Sequence, residues 1–203
     1  MRLPFRLLLV TLFVTPCIYA SADSVRAAQD TEFIRALEKA QESRPATLTA
    51  TARIAPESEP GTPLVIHGTA FAEDGKTPLA NAVIFAYHTD KEGVYDKPGA
   101  PPHSWRLRGW AKTDAKGAFE FRTIKPGSYP ASKNPAHVHF TIFSGNSRYH
   151  AGEVQFADDK FIGAQERENS KKQGEFGSVR TVRHEGTTEH VDFNVKVNPS
   201  QRF

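Results

Sequence analysis

From Leu64 onward the chain alternates apolar and polar positions in short runs, and this pattern predicts strands. Residues 118–122 set Phe119 and Phe121 against Glu120 and Arg122. Residues 189–197 place Val191, Phe193, Val195 and Val197 on one buried face. Residues 64–71 and 82–87 are runs rich in β-branched and aromatic side chains, with Asp74-Gly75 as the turn between them. Lys116-Gly117 is a second turn, and residues 137–143 and 153–156 read as further strands. Before this region, Asp30 or Thr31 can cap a short helix whose apolar stripe is Phe33, Ile34, Leu37 and Ala40, ending before Pro45. That stripe packs on the domain or on a partner subunit, so a homo-oligomer is one expectation. Residues 56–62 form a Pro/Gly/Glu-rich linker, residues 96–107 a stiff irregular loop, and residues 165–178 a polar, mobile loop. About seven to nine strands, many turns and one helix predict an all-β fold, a β-sandwich with long loops.

The first residues read differently. A basic stub (residues 1–6), an apolar run (7–19) and Ala20-Ser21-Ala22 have the form of a secretory signal peptide. The apolar run is shorter than the roughly 20 residues of a membrane span. Cleavage after Ala22, or after Ala20, predicts an exported, periplasmic or secreted protein without a membrane span. Its organisation would be 1–22 signal, 23–62 helix and linker, and 63–203 β-domain. Cys17, the only cysteine, lies in the segment to be removed, so no disulfide is expected and stability rests on a packed core. Loss of Arg2 and Arg6 takes the 26 cationic side chains to 24 against 23 acidic ones, a formal charge of +1. With no basic stripe and no interleaved aromatics, the composition argues against a nucleic-acid partner.

The chemistry concentrates in four residues. In a strand, His137 and His139 point to the same side and can grip one metal ion, while Val138, Phe140 and Ile142 face the core. Tyr95 and Tyr129 add two phenols, which ionise near pH 10 unless a strong Lewis acid holds the phenolate. Two phenolates and two imidazoles make a hard donor set that suits Fe(III) better than zinc, calcium or copper.

The spelling around these residues is more specific still. Gly93-Val94-Tyr95 is followed by Arg108-Gly109, Thr113-Asp114, Gly117-Ala118-Phe119, residues 123–130 (TIKPGSYP) and residues 135–140 (PAHVHF). This ordered series resembles the intradiol ring-cleavage dioxygenases, the catechol and protocatechuate dioxygenase family, over about residues 64–160.

The resemblance implies a trigonal-bipyramidal ferric centre. Tyr129 and His139 would be axial, Tyr95 and His137 equatorial, and a hydroxide fifth. It further implies a small aromatic diol and O2 as substrates. The diol would bind as a dianion, displacing hydroxide and Tyr129, which take up its protons. Cleavage between the hydroxylated carbons would give a cis,cis-muconate-type diacid. Family members commonly carry Arg three residues before the first His and Trp after the Tyr-Pro pair; here these positions are Asn134 and Ala131. Arg106 and Arg108 are the candidates to supply the missing positive charge, Arg106 toward substrate and Arg108 from behind the ligands. Tyr87 and Tyr149 read as packing residues, and His67, His88, His150, His184 and His190 as surface or strand-edge histidines. The competing reading is a non-catalytic, transthyretin-like binding module, whose strand pattern residues 75–83 also fit. Such a module has no reason to keep all four ligands in order.

Overall fold

The computed structural model of the chain describes residues 22–101 and 103–203; of the expected signal peptide, residues 1–22, all but Ala22 lie outside them, Cys17 included. The elements in chain order are α1 (Ala22–Glu42), β1 (Thr51–Arg53), β2 (Pro63–Phe71), β3 (Val83–His88), β4 (Leu107–Lys112), β5 (Ala118–Ile124), β6 (His137–Ser144) and β7 (Ser147–Phe156), followed by α2 (Ala164–Lys172), β8 (Val179–Arg180), β9 (Arg183–Glu185), β10 (Thr188–Asp192) and β11 (Val195–Lys196). The strands form two sheets. One runs β1-β5-β2-β10-β9, with β11 also paired to β2; the other runs β4-β3-β6-β7-β8. No helix among the described residues is long and apolar enough to cross a membrane.

The alternation places the core between the sheets. Leu64, Ile66, Phe119, Phe121 and Val191 from the first sheet meet Ile84, Val138, Phe140, Ile142 and Val154 from the second, all buried. Each such side chain stabilises the fold by about 1.5–3 kcal/mol. The second sheet is covered on its other face as well. There Leu37 and Ala40 of α1 pack with Phe85, Tyr87, Trp105 and Trp110. The apolar stripe of the helix therefore docks on its own domain.

Covering both faces explains where the periodic reading departs from the structure. β4 overlaps the expected loop only at Leu107 and is otherwise not legible as a strand, because Leu107, Trp110 and Ala111 are buried on opposite faces and leave no alternation to detect. α1 is longer than the short helix expected and passes through Asp30 and Thr31 without a cap there, since nothing from Ala22 onward interrupts helical propensity. The polar segment 165–178 is α2 and a short helical turn, Gly174–Phe176, rather than a loop. Ser170, the buried residue of α2, ties it to the sheet by accepting from Val179 N at 2.9 Å. The run 189–197 splits into β10 and β11, with Phe193 and Asn194 between them. His88 is no edge histidine: it lies wholly buried in the core, bonded to Thr89 O and, at 2.6 Å, to Thr123 Oγ1. Burial lowers its pKa to about 4, so it is neutral at physiological pH.

Candidate metal centre

The site lies on the outer face of the second sheet, where β6 begins. Because Val138, Phe140 and Ile142 fill the core, His137 and His139 must project outward. His137 Nδ1 donates to Pro135 O at 2.7 Å, which fixes the tautomer and leaves the Nε2 lone pair aimed into the site. The ring of His139 stacks on Tyr87, its cross-strand partner on β3, with centroids 4.7 Å apart.

Both tyrosines arrive on loops that cross closely. Each stands two residues after a glycine, Gly93 and Gly127, and the glycines are where the loops touch. Gly127 N donates to Asp90 O at 2.8 Å. A Cβ on Gly127 would run into Lys91 O and stand 2.6 Å from Gly93 N, and one on Gly93 would run into Ser128 O. Gly93 also needs its positive φ of 82°. Asp159 then ties the Tyr129 loop to the start of β6. Its Oδ2 accepts from Ser128 Oγ at 2.8 Å and from Ala136 N at 2.9 Å. Burial opposes ionisation of Asp159, yet these bonds and one from Phe161 N hold its carboxyl below the usual range.

The four donor atoms close a ring. Tyr95 Oη lies 2.6 Å from Tyr129 Oη, Tyr129 Oη 3.2 Å from His137 Nε2, His137 Nε2 2.9 Å from His139 Nε2, and His139 Nε2 2.9 Å from Tyr95 Oη. First-row metal ions sit about 2 Å from N and O ligands, which puts adjacent ligands about 3 Å apart. These separations fit one shared ion. The protonation states fit too. Burial, reinforced by the hydrogen bond to Tyr129, raises the Tyr95 pKa strongly, and burial raises that of Tyr129. Burial and the neighbouring His137 lower His139 to about 3. Without a cation the two phenols and the His139 imidazole are thus neutral, and binding one as phenolates must release protons.

A carboxylate that the sequence reading passed over completes the surroundings. Glu153 Oε2 stands 3.6 Å from His139 Nδ1 and 4.0 Å from His137 Nε2, and with the two histidines it forms a three-residue group able to hold a metal. Counting back from the Ser144–Ser147 end of the hairpin puts Gly152 opposite His139. A bulge on β7 shifts the register, so Glu153 faces His139 instead. Gly152, at φ 83°, lies within it. Only the turn at 145–146 hinted at this pairing, and the bulge hides it from simple counting.

The other candidates are engaged elsewhere. Arg106 forks onto Glu59 at 2.6 and 2.8 Å and reaches Asp90 at 3.6 Å. Arg108 donates to Ser43 Oγ and to the backbone oxygens of Ser104 and Trp105. Both brace the loop between β3 and β4, and none of these bonds goes to the four donor atoms. Asn134 is exposed. Tyr87, read as packing, is buried as expected but also walls the site through its stack on His139.

A family model described as Dioxygenase matches residues 38–199, most of the chain. The chain belongs to the intradiol ring-cleavage dioxygenase family. Among curated relatives of this enzyme family, catechol 1,2-dioxygenase 1 of Acinetobacter lwoffii is 35% identical over 127 residues, covering 54% of this chain. The match spans 40% of that relative, so less than half its length. Two solved structures share the fold. The dioxygenase domain of a dioxygenase and carbohydrate-binding protein fusion from Streptomyces sp. SirexAA-E aligns with TM-score 0.54 at 24% identity, over 72% of this chain and 86% of that one. Catechol 1,2-dioxygenase from Acinetobacter sp. ADP1 aligns with TM-score 0.54 at 22% identity, over 74% of this chain and 58% of that one.

Proposed function

We propose that this dioxygenase-family chain cleaves a catechol-type diol with O2, between its hydroxylated carbons, at a non-haem Fe(III) held by Tyr95, Tyr129, His137 and His139. The observation that carries the reading is the closed ring of four donor atoms, each within 3.2 Å of the next. Bound Fe(III) would supply Lewis acidity toward the diol and the redox partner through which the diol and O2 react. The residues supply the rest. Two phenolates offset charge that a buried site could not otherwise tolerate. His137 and His139, held by Pro135 and by the stack on Tyr87, fix the donor geometry before substrate arrives. Tyr129, held by a hydroxyl contact to Tyr95 and a longer one to His137, would as phenolate be placed to accept a proton from a substrate hydroxyl. The product would be a muconate-type diacid.

Export is part of the proposal. A basic stub, an apolar run and Ala20-Ser21-Ala22 support it, and it places the substrate outside the cytoplasm, among plant phenolics or lignin-derived catechols. The iron-loaded chain, recovered from the exported fraction with its N-terminus at Ser21 or Asp23, is expected to consume about one O2 per catechol and to yield a diacid. Oxygen electrode traces and product mass decide this. No uptake with any catechol contradicts the reading, as does cleavage of cytoplasmic metabolites only.

A further inference from the structure

Beside the metal centre lies a cavity of about 660 Å³, within the range of small-molecule sites. Of the four donor residues His139 lines the cavity, and so does Glu153 beside it, so the cavity adjoins the centre on its His139 side. Phe33 and Tyr87 give it apolar walls suited to an aromatic ring. Its charged lining is one-sided. Glu153 and Glu32 contribute carboxylates; His103 stands 3.5 Å from Glu32, Glu153 Oε1 accepts from Gln155 Nε2 at 2.8 Å, His139 and His150 also line the cavity, and no lysine or arginine is among the described lining residues. The nearby cations are held elsewhere: Arg106 by Glu59, Arg108 by Ser43 and backbone oxygens, and Arg148 beside Glu38.

We propose that Glu153, with Glu32, makes this cavity select catechols whose ring substituent is neutral or cationic and turn away those bearing a carboxylate. The inference rests on the dioxygenase reading and names its substrate class. A ring bound at the four donor atoms carries its substituent into the cavity, within reach of Glu153. Like charges about 6 Å apart, at an effective dielectric of about 20, disfavour binding by roughly a hundredfold, and solvent screening reduces this toward tenfold. An ammonium group meets attraction of the same kind. Exclusion by a like charge is a specificity device that adds nothing to the affinity for a neutral substrate.

The test uses the iron-loaded full chain. Anaerobic titrations followed by visible absorbance give Kd for catechol, protocatechuate (a ring carboxylate) and dopamine (an aminoethyl chain); oxygen uptake then gives kcat/KM. Protocatechuate is expected to bind at least about tenfold more weakly than catechol, and dopamine no more weakly than catechol. Glu153→Gln is expected to narrow the gap between protocatechuate and catechol at least about threefold. Glu32→Gln, on a half-exposed helix position that leaves the ligands untouched, narrows it less. Because each gap is a ratio within one variant, a general loss of iron affinity cancels. Protocatechuate binding as tightly as catechol, or a gap unchanged by Glu153→Gln, overturns the proposal while leaving the dioxygenase reading intact. Failure of catechol itself to bind or react removes both.

Discussion

His137→Ala is expected to lower iron affinity by more than about a hundredfold, and Tyr129→Phe to cost on the order of 10²–10⁴ in kcat. The reasons differ. His137 Nε2 is a lone pair fixed in place by the bond from Nδ1 to Pro135. Tyr129 is partly buried, and Phe fills the same volume while removing the oxygen that lies between Tyr95 and His137. Tyr129→Phe should therefore keep the melting temperature within a few degrees, bind iron less tightly and lose most turnover. Metal analysis, thermal melts and oxygen uptake on the same preparations separate these effects. Full turnover in Tyr129→Phe would remove that phenol from the site.

The second large effect is expected at a residue with no side chain. Gly127→Ala places a methyl against Lys91 O and within 2.6 Å of Gly93 N, where the contacts are backbone and cannot swing aside. The two loops must part, at about 3 kcal/mol. For a chain of this size that lowers Tm by roughly 6–12 °C. Since the loops carry Tyr95 and Tyr129, the phenol pair at 2.6 Å is lost with them, and iron affinity falls even where the fold survives. Gly145→Ala is the control: it too sits at positive φ, but its methyl would meet nothing within 4 Å. It should cost about 1 kcal/mol and leave iron binding alone. Equal losses in the two variants, by melting and by iron titration, would contradict the crossing-loop account.

Why some of this was legible in the sequence and some was not follows from the same geometry. Period-two alternation is visible where one face of a strand is wet, so β5 and the outward histidines of β6 could be read directly. β3 and β4 are covered by α1 on one side and by the core on the other, so alternation dissolves into continuous burial; β3 is still legible from its β-branched and aromatic run, and β4 is not. The four metal ligands carry their own chemistry, so residue type and order sufficed to nominate them. Glu153 is an unremarkable acid until the bulge near Gly152 turns it toward His139. Arg106 and Arg108 show the converse. Their charge nominated them for the site, yet what decides their place is a partner at Glu59 and a set of backbone oxygens, which composition does not reveal. Burial of His88 was equally hidden, because its partner Thr123 lies on the opposite sheet.

The central claim is that Tyr95 and Tyr129 bind Fe(III) as phenolates, and the visible spectrum of the iron-loaded protein tests it most directly. Ferric tyrosinate absorbs visible light, so the account predicts red-brown protein with about one iron per chain, the colour fading in Tyr95→Phe and Tyr129→Phe. Iron-loaded protein that is colourless, or whose colour survives the loss of both phenols, would contradict it.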